Sequence, residues 1–469
     1  MAATAAAGDI LYVRAGTYTT TLQTLSMPGG GVNGTSSNRI VVSTYNGETV
    51  TVAPGGSARW AVYISTNYFT LNGFILDCTS SALGSNSACI TNDNTANSNS
   101  IITNNVVKNG PGNGMLYGGM SHLFEGNEVF NNGLASDYSN SIGMYLMAIK
   151  SSTVRRNTVY SNECVGIRVG NSGTVGGGQA SDNIVELNYT HTNGTAKGLS
   201  GTASCSSSSA GILIGDQRNV ARYNVSYNNA GQGLRIFPLT GTTTTANNAL
   251  YNNTSYANVS HGIQIFTNAQ SSIVRNNHSI GNGGSQYTDS GTGTTASNNR
   301  TTGSITDCTV STSVFTQKAG SSCIDQGSTL TGYAYNGSAP DQGAFETIVF
   351  STCEVRAAAT STVRVTFSVN LVPPLLPATG ATTFTVRKNG SSNAVRGSVD
   401  RVGDGIYDIP VTNSYAGGDT VDMSISTNNI TSSDYIGNTM VQPYVGTLSN
   451  QSCTNNAGGA PAHTRNQSR

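Results

Sequence analysis

Charged side chains are scarce in this chain: Asp, Glu, Lys and Arg together make up 10% of its 469 residues. An average soluble domain has roughly a quarter. The 23 basic and 23 acidic residues cancel, so the formal net charge is zero. Without a basic excess, a nucleic-acid partner is not expected. No apolar run approaches the roughly 18 residues that a membrane-spanning helix needs, so no membrane span is expected either.

Metal-binding cysteine patterns are also missing. The eight cysteines show no CxxC pair and no Cys/His spacing of the zinc-site kind. Disulfides formed in an oxidising compartment explain them better. Many pairings are open to eight cysteines, but pairing of sequence neighbours lets each bridge close one loop or one domain. The neighbours are Cys78 and Cys89, Cys164 and Cys205, Cys308 and Cys323, and Cys353 and Cys453.

A repeated phrase is present between Gly211 and Asn299. It opens with a Gly-apolar-x-Ile run, which occurs as Gly211-Ile-Leu-Ile214, Gly233-Leu-Arg-Ile236 and Gly262-Ile-Gln-Ile265. Each copy holds three short alternating runs separated by Gly or Asn, which predicts three half-buried strands. A unit that recurs about every 22–30 residues is typical of a solenoid. Asn at the same corner of each turn suits a left-handed bend, where stacked amides can hydrogen-bond from rung to rung.

The pattern resembles the right-handed parallel β-helix of secreted pectate, alginate and chondroitin lyases, tailspikes and related polysaccharide enzymes. The resemblance runs from Gly8 to Glu346. It includes the opening Gly8-Asp-Ile-Leu-Tyr-Val-Arg-Ala-Gly-Thr-Tyr18, the phrase Asn67-Tyr-Phe-Thr-Leu-Asn-Gly-Phe74 and the closing Pro340-Asp-Gln-Gly-Ala-Phe-Glu346. It implies an all-β fold, a polysaccharide as partner, and a secreted, extracellular or cell-surface location.

The pattern of the chain changes after Glu346. Runs such as Val363-Arg-Val-Thr-Phe-Ser-Val369 and Thr420-Val-Asp-Met-Ser-Ile425 are spaced by turn residues, which predicts a β-sandwich. Their order resembles the Ig-like modules of bacterial surface proteins. We therefore predict three segments, which are a right-handed parallel β-helix at 1–350, an Ig-like β-sandwich at 351–453 and a flexible tail at 454–469.

One residue in each Gly-apolar-x-Ile run is predicted to point away from the solenoid core, because successive strand residues face opposite sides. Stacked rungs are about 4.8 Å apart, close to the length of one sugar unit, so this face suits a polysaccharide. We call these positions the outer row and expect them to be displayed on a flat, open sheet face. The members of the outer row are Tyr63, Thr91, Leu116, Tyr145, Arg168, Leu213, Arg235 and Gln264.

Tyr145 and Arg168 are the outer-row residues best suited to catalysis. β-Elimination from a uronate needs a neutralised carboxylate, a base for the C5 proton and a stabilised enolate-like intermediate. Arginine can clamp a carboxylate, and tyrosine, lysine or a second arginine near cations can take the proton. Lys150 and Arg235 are the further catalytic candidates. The candidates for substrate binding are Asp137, Tyr138, Glu163, Asp216, His261 and Gln264.

Motifs that would identify one enzyme family are absent. The chain has no R-x-x-P-x-x-R element of pectate lyases and no D-P-H-D of alginate epimerases, and His261-Gly262 lacks the paired aspartates of polygalacturonases. A polysaccharide lyase is the favoured prediction. A glycoside hydrolase is the first alternative, with Asp137 and Glu163 as its best carboxyl pair. A non-catalytic surface adhesin or fibre protein is the second.

No cofactor follows from the sequence. The resemblance to pectate lyases leaves calcium open, because hard cations take carboxylate ligands. Asp93, Asp182 and Asp289 are the candidates, but they do not form a clustered acidic set. The prediction is therefore a protein without a certain metal.

Overall fold

A computed structural model describes the chain over 5–20, 25–27, 32–55, 60–79, 88–92, 97–133, 142–170, 179–194, 209–238, 245–309, 311–313, 315, 317, 320–331, 333, 335, 338–346, 350–356, 359–367, 384–395, 400–403, 406–425, 435–436, 439–440 and 448–457. The chain divides into two compact units, Met1–Ser304 and Ile305–Arg469. Almost all regular structure is β. Within these ranges the helical elements are two 3₁₀ turns, Tyr45–Gly47 and Ile305–Asp307.

Three parallel sheets build the first unit, and the chain visits each sheet once per coil. The described strands of sheet 1 are Ile10–Val13, Ile40–Thr44, Phe69–Asn72, Ile101–Thr103, Leu123–Glu125, Thr153–Arg155, Ile184–Glu186, Val220–Arg222, Ala249–Tyr251, Ile273–Arg275 and Thr295–Ser297. Those of sheet 2 are Gly16–Thr20, Val50–Pro54, Ile75–Asp77, Val106–Lys108, Glu128–Phe130, Thr158–Tyr160, Tyr189–His191, Val225–Tyr227, Thr254–Tyr256 and His278–Ile280. Those of sheet 3 are Leu25–Met27, Val62–Ile64, Ala88–Asn92, Asn113–Met120, Ile142–Lys150, Val165–Val169, Ala210–Ile214, Gln232–Ile236, Ile263–Ile265 and Tyr287–Asp289. A short parallel pair joins Thr245–Ala246 to Ala269–Gln270. The predicted parallel solenoid is confirmed.

The core of the first unit is a column of apolar side chains between the three sheets. Most strands are three to five residues long, so one or two side chains per strand face inward while their neighbours face out. In sheet 1, Phe124 pairs in register with Ile102 below and Val154 above. All three side chains are fully buried. Because each coil stacks on the last, the core grows along the axis as the chain lengthens.

Buried asparagines form ladders at the turns, as the repeat predicted. Between sheets 1 and 2, Asn157 donates its backbone N–H and its side-chain Nδ2 to the Oδ1 of Asn188, both at 3.0 Å. The left-handed residue of this turn is not the ladder asparagine but the residue before it, such as Arg156 or Leu187. In other coils that residue is itself an asparagine, such as Asn252 or Asn276, so an asparagine does take the expected left-handed bend there, one position before the ladder asparagine. The ladder asparagine instead turns inward and binds the backbone of the coil below. The ladder consists of Asn105, Asn127, Asn157, Asn188, Asn224, Asn253, Asn277 and Asn299.

Asn188→Ala is expected to lower the free energy of unfolding by about 3–5 kcal/mol, because each buried polar group left without a partner costs about 1–3 kcal/mol. Asn188 is fully buried and its Nδ2 donates to Val154 O at 2.9 Å and to Asn224 Oδ1 at 3.0 Å. The measurement is the denaturant midpoint followed by circular dichroism. The matched control is Asn72→Ala, where a partly exposed side chain donates to Ser43 Oγ and water can replace it. Equal shifts in the two variants would contradict a structural role for the ladder.

Another ladder, between sheets 3 and 1, contains a histidine. His122 is 2% exposed, and its Nδ1 accepts the Ser100 N–H at 3.1 Å. Its Nε2 lies 3.0 Å from Gly118 O, so the neutral ring carries its proton on Nε2 and donates there. Burial lowers the pKa of His122 to about 4. The ring is therefore neutral in the folded protein at neutral pH.

His122→Asn is expected to remove a pH dependence of stability between about pH 4 and pH 6.5. Between these pH values the histidine, whose pKa is near 6.5 in the unfolded chain, is protonated there but stays neutral in the folded protein. The free energy of unfolding of the wild type therefore falls as pH drops through this window, by up to roughly 3 kcal/mol. An asparagine keeps an acceptor for Ser100 N–H, as Asn183 does for Ser152 N–H in the same ladder. Denaturant midpoints of both proteins at a series of pH values test this. Parallel pH profiles would show that His122 is not the titrating group.

Three of the predicted disulfides are confirmed. Bridges join Cys78 to Cys89, Cys308 to Cys323 and Cys353 to Cys453. Cys164 is also disulfide-bonded, but Cys205 lies outside the described residues, so the pair Cys164–Cys205 stays a prediction. Bridges of this number fit an oxidising compartment.

The second unit contains two small sheets that are mostly antiparallel. One is ordered Asp400–Gly403, Ile406–Pro410, Ala359–Phe367, Phe350–Arg356 and Thr454–Asn455, and the other Ser391–Ser392, Phe384–Lys388, Val421–Ile425 and Leu448–Ser452. A separate hairpin pairs Tyr435–Ile436 with Thr439–Met440. The core they share includes Val355, Val363, Val386, Tyr407, Ile409 and Met423. The predicted sandwich after the solenoid is confirmed, and its Ig-like nature stays a prediction.

The boundary between the domains also stays a prediction. The last described strand of the parallel sheets is Thr295–Ser297. The first compact unit ends at Ser304 and the second begins at Ile305. The described residues between 305 and 346 contain mainly turns. Of the predicted tail, 454–469, the residues after 457 lie outside the described part of the chain.

Candidate functional site

The outer row is a continuous ladder on sheet 3. Tyr145 pairs in register with Leu116 on one side and Arg168 on the other. Arg168 pairs with Leu213, and Leu213 with Arg235. Tyr63 and Thr91 extend the row at one end and Gln264 at the other. The register predicted from the repeated phrase is therefore confirmed, and neighbouring members are about 4.8 Å apart.

Much of the outer row is recessed, so the expectation of a flat, open display is wrong. Thr91, Tyr145, Leu213 and Arg235 are only 1–4% exposed. For Tyr145 and Leu213 the physical reason is a second apolar cluster on the outside of sheet 3, separate from the core, and Arg235 packs against Phe237 and Phe266. Arg168 remains partly exposed between Tyr145 and Leu213, as do Tyr63, Leu116 and Gln264 elsewhere in the row. The cluster consists of Ile142, Tyr145, Met147, Cys164, Val165, Ala210 and Leu213.

Tyr145 and Arg168 form a pair at the centre of the row. The Arg168 Cζ lies 4.7 Å from the centroid of the Tyr145 ring, within the range of a cation–π contact. Burial lowers the pKa of Arg168, while Tyr145 and Asp216 act in the opposite direction. Its Nε is buried and has no hydrogen-bond partner among the described residues. The Arg168 guanidinium is thus held against the Tyr145 ring while its Nε–H is left to donate to a ligand. A carboxylate is the natural acceptor for this donor.

Arg235 lies two rungs from Arg168 and is packed against two phenylalanines. Its Cζ is 4.1 Å from the Phe237 ring centroid and 4.9 Å from that of Phe266, and the two rings are 4.7 Å apart. Burial lowers the pKa of Arg235 to about 10, so it stays cationic at neutral pH. Gln264 follows on the next rung, with its Oε1 buried and without a hydrogen-bond partner in the described residues. Two cations therefore lie roughly 10 Å apart along one line.

The two described acidic candidates, Glu163 and Asp216, lie at opposite edges of sheet 3. Glu163 is buried and precedes the strand Val165–Val169. Asp216 is fully buried after Ala210–Ile214, and its Oδ2 accepts the Ala180 N–H at 2.8 Å. At about 3.3 Å per residue, five strand residues alone put these carboxyls roughly 15 Å apart, beyond the separation of a glycosidase pair. Asp137 and Tyr138 lie outside the described residues, so the pair Asp137 and Glu163 stays a prediction.

Lys150 and His261 are not brought beside Tyr145 and Arg168. Lys150 is exposed at the far end of the same strand as Tyr145, beyond a bulge at Ala148, whose φ is 52°. There its backbone forms an isolated parallel β-bridge with Ser181. His261 precedes the strand Ile263–Ile265 at the other edge, and its Nδ1 accepts the Ser285 N–H at 3.0 Å. Their assigned roles stay predictions.

Asp182 and Asp289, the two described aspartates among those considered for calcium, have different partners. Asp182 pairs with Arg218 at 2.7 Å, and Asp289 accepts the Tyr287 hydroxyl and the Gly291 N–H. Asp93 lies outside the described residues. Among the described residues of the first unit, no set of three acidic side chains shares one position.

Several aromatic residues beside the row were missed by the sequence reasoning. Phe237 and Phe266 directly follow Ile236 and Ile265, at the same offset in two successive repeats, and that recurrence was a usable signal. Trp60, the single tryptophan, is stacked on Tyr63 at the other end of the row, with ring centroids 4.8 Å apart. Aromatic faces therefore accompany the row at both ends.

Within the described residues, no helix has the length and apolar character that crossing a bilayer requires.

Comparisons with known proteins give matches in structure alone. No family model matches the chain, and no curated protein sequence does. Among solved structures, the pectate lyase Pel9A is 18% identical, with a TM-score of 0.55 over 73% of this chain and 89% of that one. An alginate lyase from Paenibacillus sp. str. FPU-7 is 13% identical, with a TM-score of 0.47 over 63% of this chain and 93% of that one. The A-module of the mannuronan C-5 epimerase AlgE4 from Azotobacter vinelandii is 14% identical, with a TM-score of 0.37 over 63% and 84%. The chain therefore has the right-handed parallel β-helix fold of the pectate lyase, followed by small antiparallel sheets.

Proposed function

We propose that this protein binds a uronate-containing polysaccharide along the outer row and cleaves it by β-elimination. The observation that carries the proposal is the Tyr145–Arg168 pair, a cation with a spare buried donor held 4.7 Å from a tyrosine ring. Arg235 lies in the same row two rungs away. A row with two arginines and no carboxylate of its own suits an acidic ligand.

Arg168 would bind the carboxylate of the sugar that reacts. Its cation lowers the negative charge on that carboxylate and so makes the neighbouring C5 proton easier to remove. Because the guanidinium Cζ is held 4.7 Å from the centroid of the Tyr145 ring, contact with the ring restrains its donating groups. A fixed donor stabilises charge in the transition state without reorganising, which is the main electrostatic contribution that an enzyme can make.

Tyr145 would act as the base. Its phenolate oxygen takes the C5 proton, the electron pair forms the double bond between C4 and C5, and the C4–O bond breaks. The departing oxygen then takes a proton from water or from the tyrosine that has just been protonated. Arg168 is the cation in contact with this ring, so one residue supports both the carboxylate and the base.

Arg235 would hold a second carboxylate further along the chain. It lies roughly 10 Å from Arg168 in the direction of stacking, which corresponds to about two sugar units. Phe237 and Phe266 both contact its guanidinium and so restrain its position. A polymer with regularly spaced uronates would engage both arginines, whereas a neutral glycan would engage neither.

Two further observations support a secreted polysaccharide lyase. One solved structure that shares the fold carries the name pectate lyase, which describes a reaction of the class proposed here. The disulfides favour an extracellular or periplasmic location. In this proposal the C-terminal sandwich is an Ig-like module that follows the enzyme domain in the chain.

The experiment that tests the function is incubation with a panel of uronate polymers and neutral glycans. Ultraviolet absorbance detects unsaturated products, a reducing-end assay detects all cleavage, and affinity electrophoresis detects binding. Unsaturated products from an acidic polymer are expected. Reducing ends without unsaturation would replace the proposal with a hydrolase, and binding of a glycan without any cleavage would replace it with an adhesin.

A further inference from the structure

Trp60 and Tyr63 form an aromatic platform at one end of the outer row. Their rings are stacked, with centroids 4.8 Å apart and planes inclined by 28°. Both side chains are partly exposed. Tyr63 belongs to the row itself, because it pairs in register with Thr91, which leads through Leu116 to Tyr145. The platform is therefore collinear with the proposed site.

The backbone beneath the platform is firmly held. Between the two rings, Ala61 and Val62 are buried in the core. The Ala61 N–H donates to Cys89 O of the next coil at 3.0 Å. Cys89 is itself bridged to Cys78. Because the strand below is hydrogen-bonded to the next coil at a residue that a disulfide holds in place, the platform has a fixed position relative to the rest of the row.

The distance from the platform to the site is set by counting rungs. Tyr63 lies three rungs from Tyr145 and four from Arg168, which is roughly 14 Å and 19 Å at about 4.8 Å per rung. The members between them, Thr91 and Leu116, carry no charge. A sugar over the platform would thus be about three to four units away from the one held by Arg168.

We propose that Trp60 and Tyr63 are a distal subsite that stacks on a sugar ring of the same polysaccharide, and that this subsite makes the protein select long chains. The inference rests on the proposed function, in that the outer row must bind a glycan. Aromatic side chains bury a large apolar area at little cost in conformational freedom, and the C–H face of a sugar ring is flat enough to lie on one. Since the Trp60 and Tyr63 side chains are uncharged, they would recognise the sugar ring and not its carboxylate.

Chain length is the property that this subsite would control. A polymer that reaches from Arg168 to the platform must span at least about four sugar units, so di- and trisaccharides would occupy the catalytic end alone. Binding through both ends at once strengthens the grip on long chains without changing the chemistry. The enzyme would therefore cut within polymers and leave short products.

Trp60 also provides the readout, because it is the single tryptophan in the chain. Titration of the full-length protein with a long uronate polymer that it cleaves is expected to change tryptophan emission in a saturable manner. The corresponding disaccharide should leave the emission unchanged at concentrations that saturate turnover. Emission that does not respond to a polymer that the protein cleaves would overturn the platform.

Kinetics of Trp60→Ala supply an independent test. KM for the polymer is expected to rise about 10-fold with kcat within about 2-fold, while both constants for a trisaccharide stay unchanged. Trp60→Phe keeps a ring and should recover most of the loss. Tyr45→Ala removes an exposed aromatic away from the row and is the matched control. An equal rise in KM for polymer and trisaccharide would overturn the platform, because general damage affects both.

Failure of this inference can be told apart from failure of the proposed function. If Arg168→Ala abolishes turnover while Trp60→Ala leaves the polymer KM unchanged, the function stands and the platform is wrong. If a polymer changes Trp60 emission and is never cleaved, the platform stands and β-elimination is wrong. If no polymer of the panel changes the emission or is cleaved, both are wrong.

Discussion

Arg168→Ala is expected to lower kcat/KM on the uronate polymer by about 10²- to 10³-fold, the usual effect of losing one oriented electrostatic donor. The guanidinium in wild type is fixed against Tyr145 and has a buried Nε without a partner in the described residues. Alanine removes the charge that would meet the carboxylate, and water in its place cannot reproduce a fixed donor. Initial rates of unsaturated-product formation measure the effect.

Two further variants sharpen this test. Arg168→Lys keeps the charge but not the planar fork, so it should fall between wild type and alanine. Arg218→Ala is the matched control, because Arg218 is an exposed arginine paired with Asp182 on the same solenoid. If Arg168→Ala and Arg218→Ala turn over equally fast, the carboxylate site is elsewhere, and the edge that contains Glu163 should be examined next.

Tyr145→Phe is expected to lower kcat by about 10²- to 10⁴-fold while KM changes by no more than a few-fold, because only the proton acceptor is lost. The phenylalanine ring can still fill the apolar cluster on the outside of sheet 3 and lie beneath Arg168. Fold and ligand affinity should therefore be retained. Steady-state kinetics, with circular dichroism as a check on folding, measure both expectations.

The control for this variant is Tyr160→Phe on sheet 2. Tyr160 donates its hydroxyl to Glu128 at 2.8 Å, well away from the outer row. Loss of this hydroxyl should leave kcat unchanged. A Tyr145→Phe enzyme as active as the Tyr160→Phe enzyme would show that another group takes the C5 proton, and a second arginine of the row would then be the candidate base.

The fold could be predicted from the sequence because the repeat contains two independent signals, one for the strands and one for the turns between them. The Gly-apolar-x-Ile phrase marks the strands of sheet 3, and the recurring asparagines mark the corners. Aligning successive copies was enough to place Arg168 beside Tyr145 and Arg235 beside Leu213, as the register shows. Side chains alternate between inward and outward along each strand, and the coils have similar lengths, so few alignments of the copies are possible.

The surroundings of the row could not be read in the same way. An outward Val165 or Ala210 is apolar in the sequence, but only packing decides whether such a residue is covered, and here both are buried. The bulge at Ala148 also has no sequence signature of the kind that glycine gives, so the position of Lys150 relative to Tyr145 could not be counted along the strand. Both failures concern where side chains end up, not which strands form.

The asparagine ladders also determine how a chain of this kind can change in length during evolution. An asparagine ladder lies at each of the three corners, and between two successive coils the spacing is 29 residues in every one. The pairs are Asn219 and Asn248 between sheets 3 and 1, Asn224 and Asn253 between sheets 1 and 2, and Asn229 and Asn258 between sheets 2 and 3. Recombination that removes or duplicates one such block returns every amide to an equivalent neighbour, whereas a shorter deletion inside a strand misaligns all three. The whole coil is thus the heritable unit. Descendants of one ancestor could differ by entire rungs, and with them by the number of sugars they can hold.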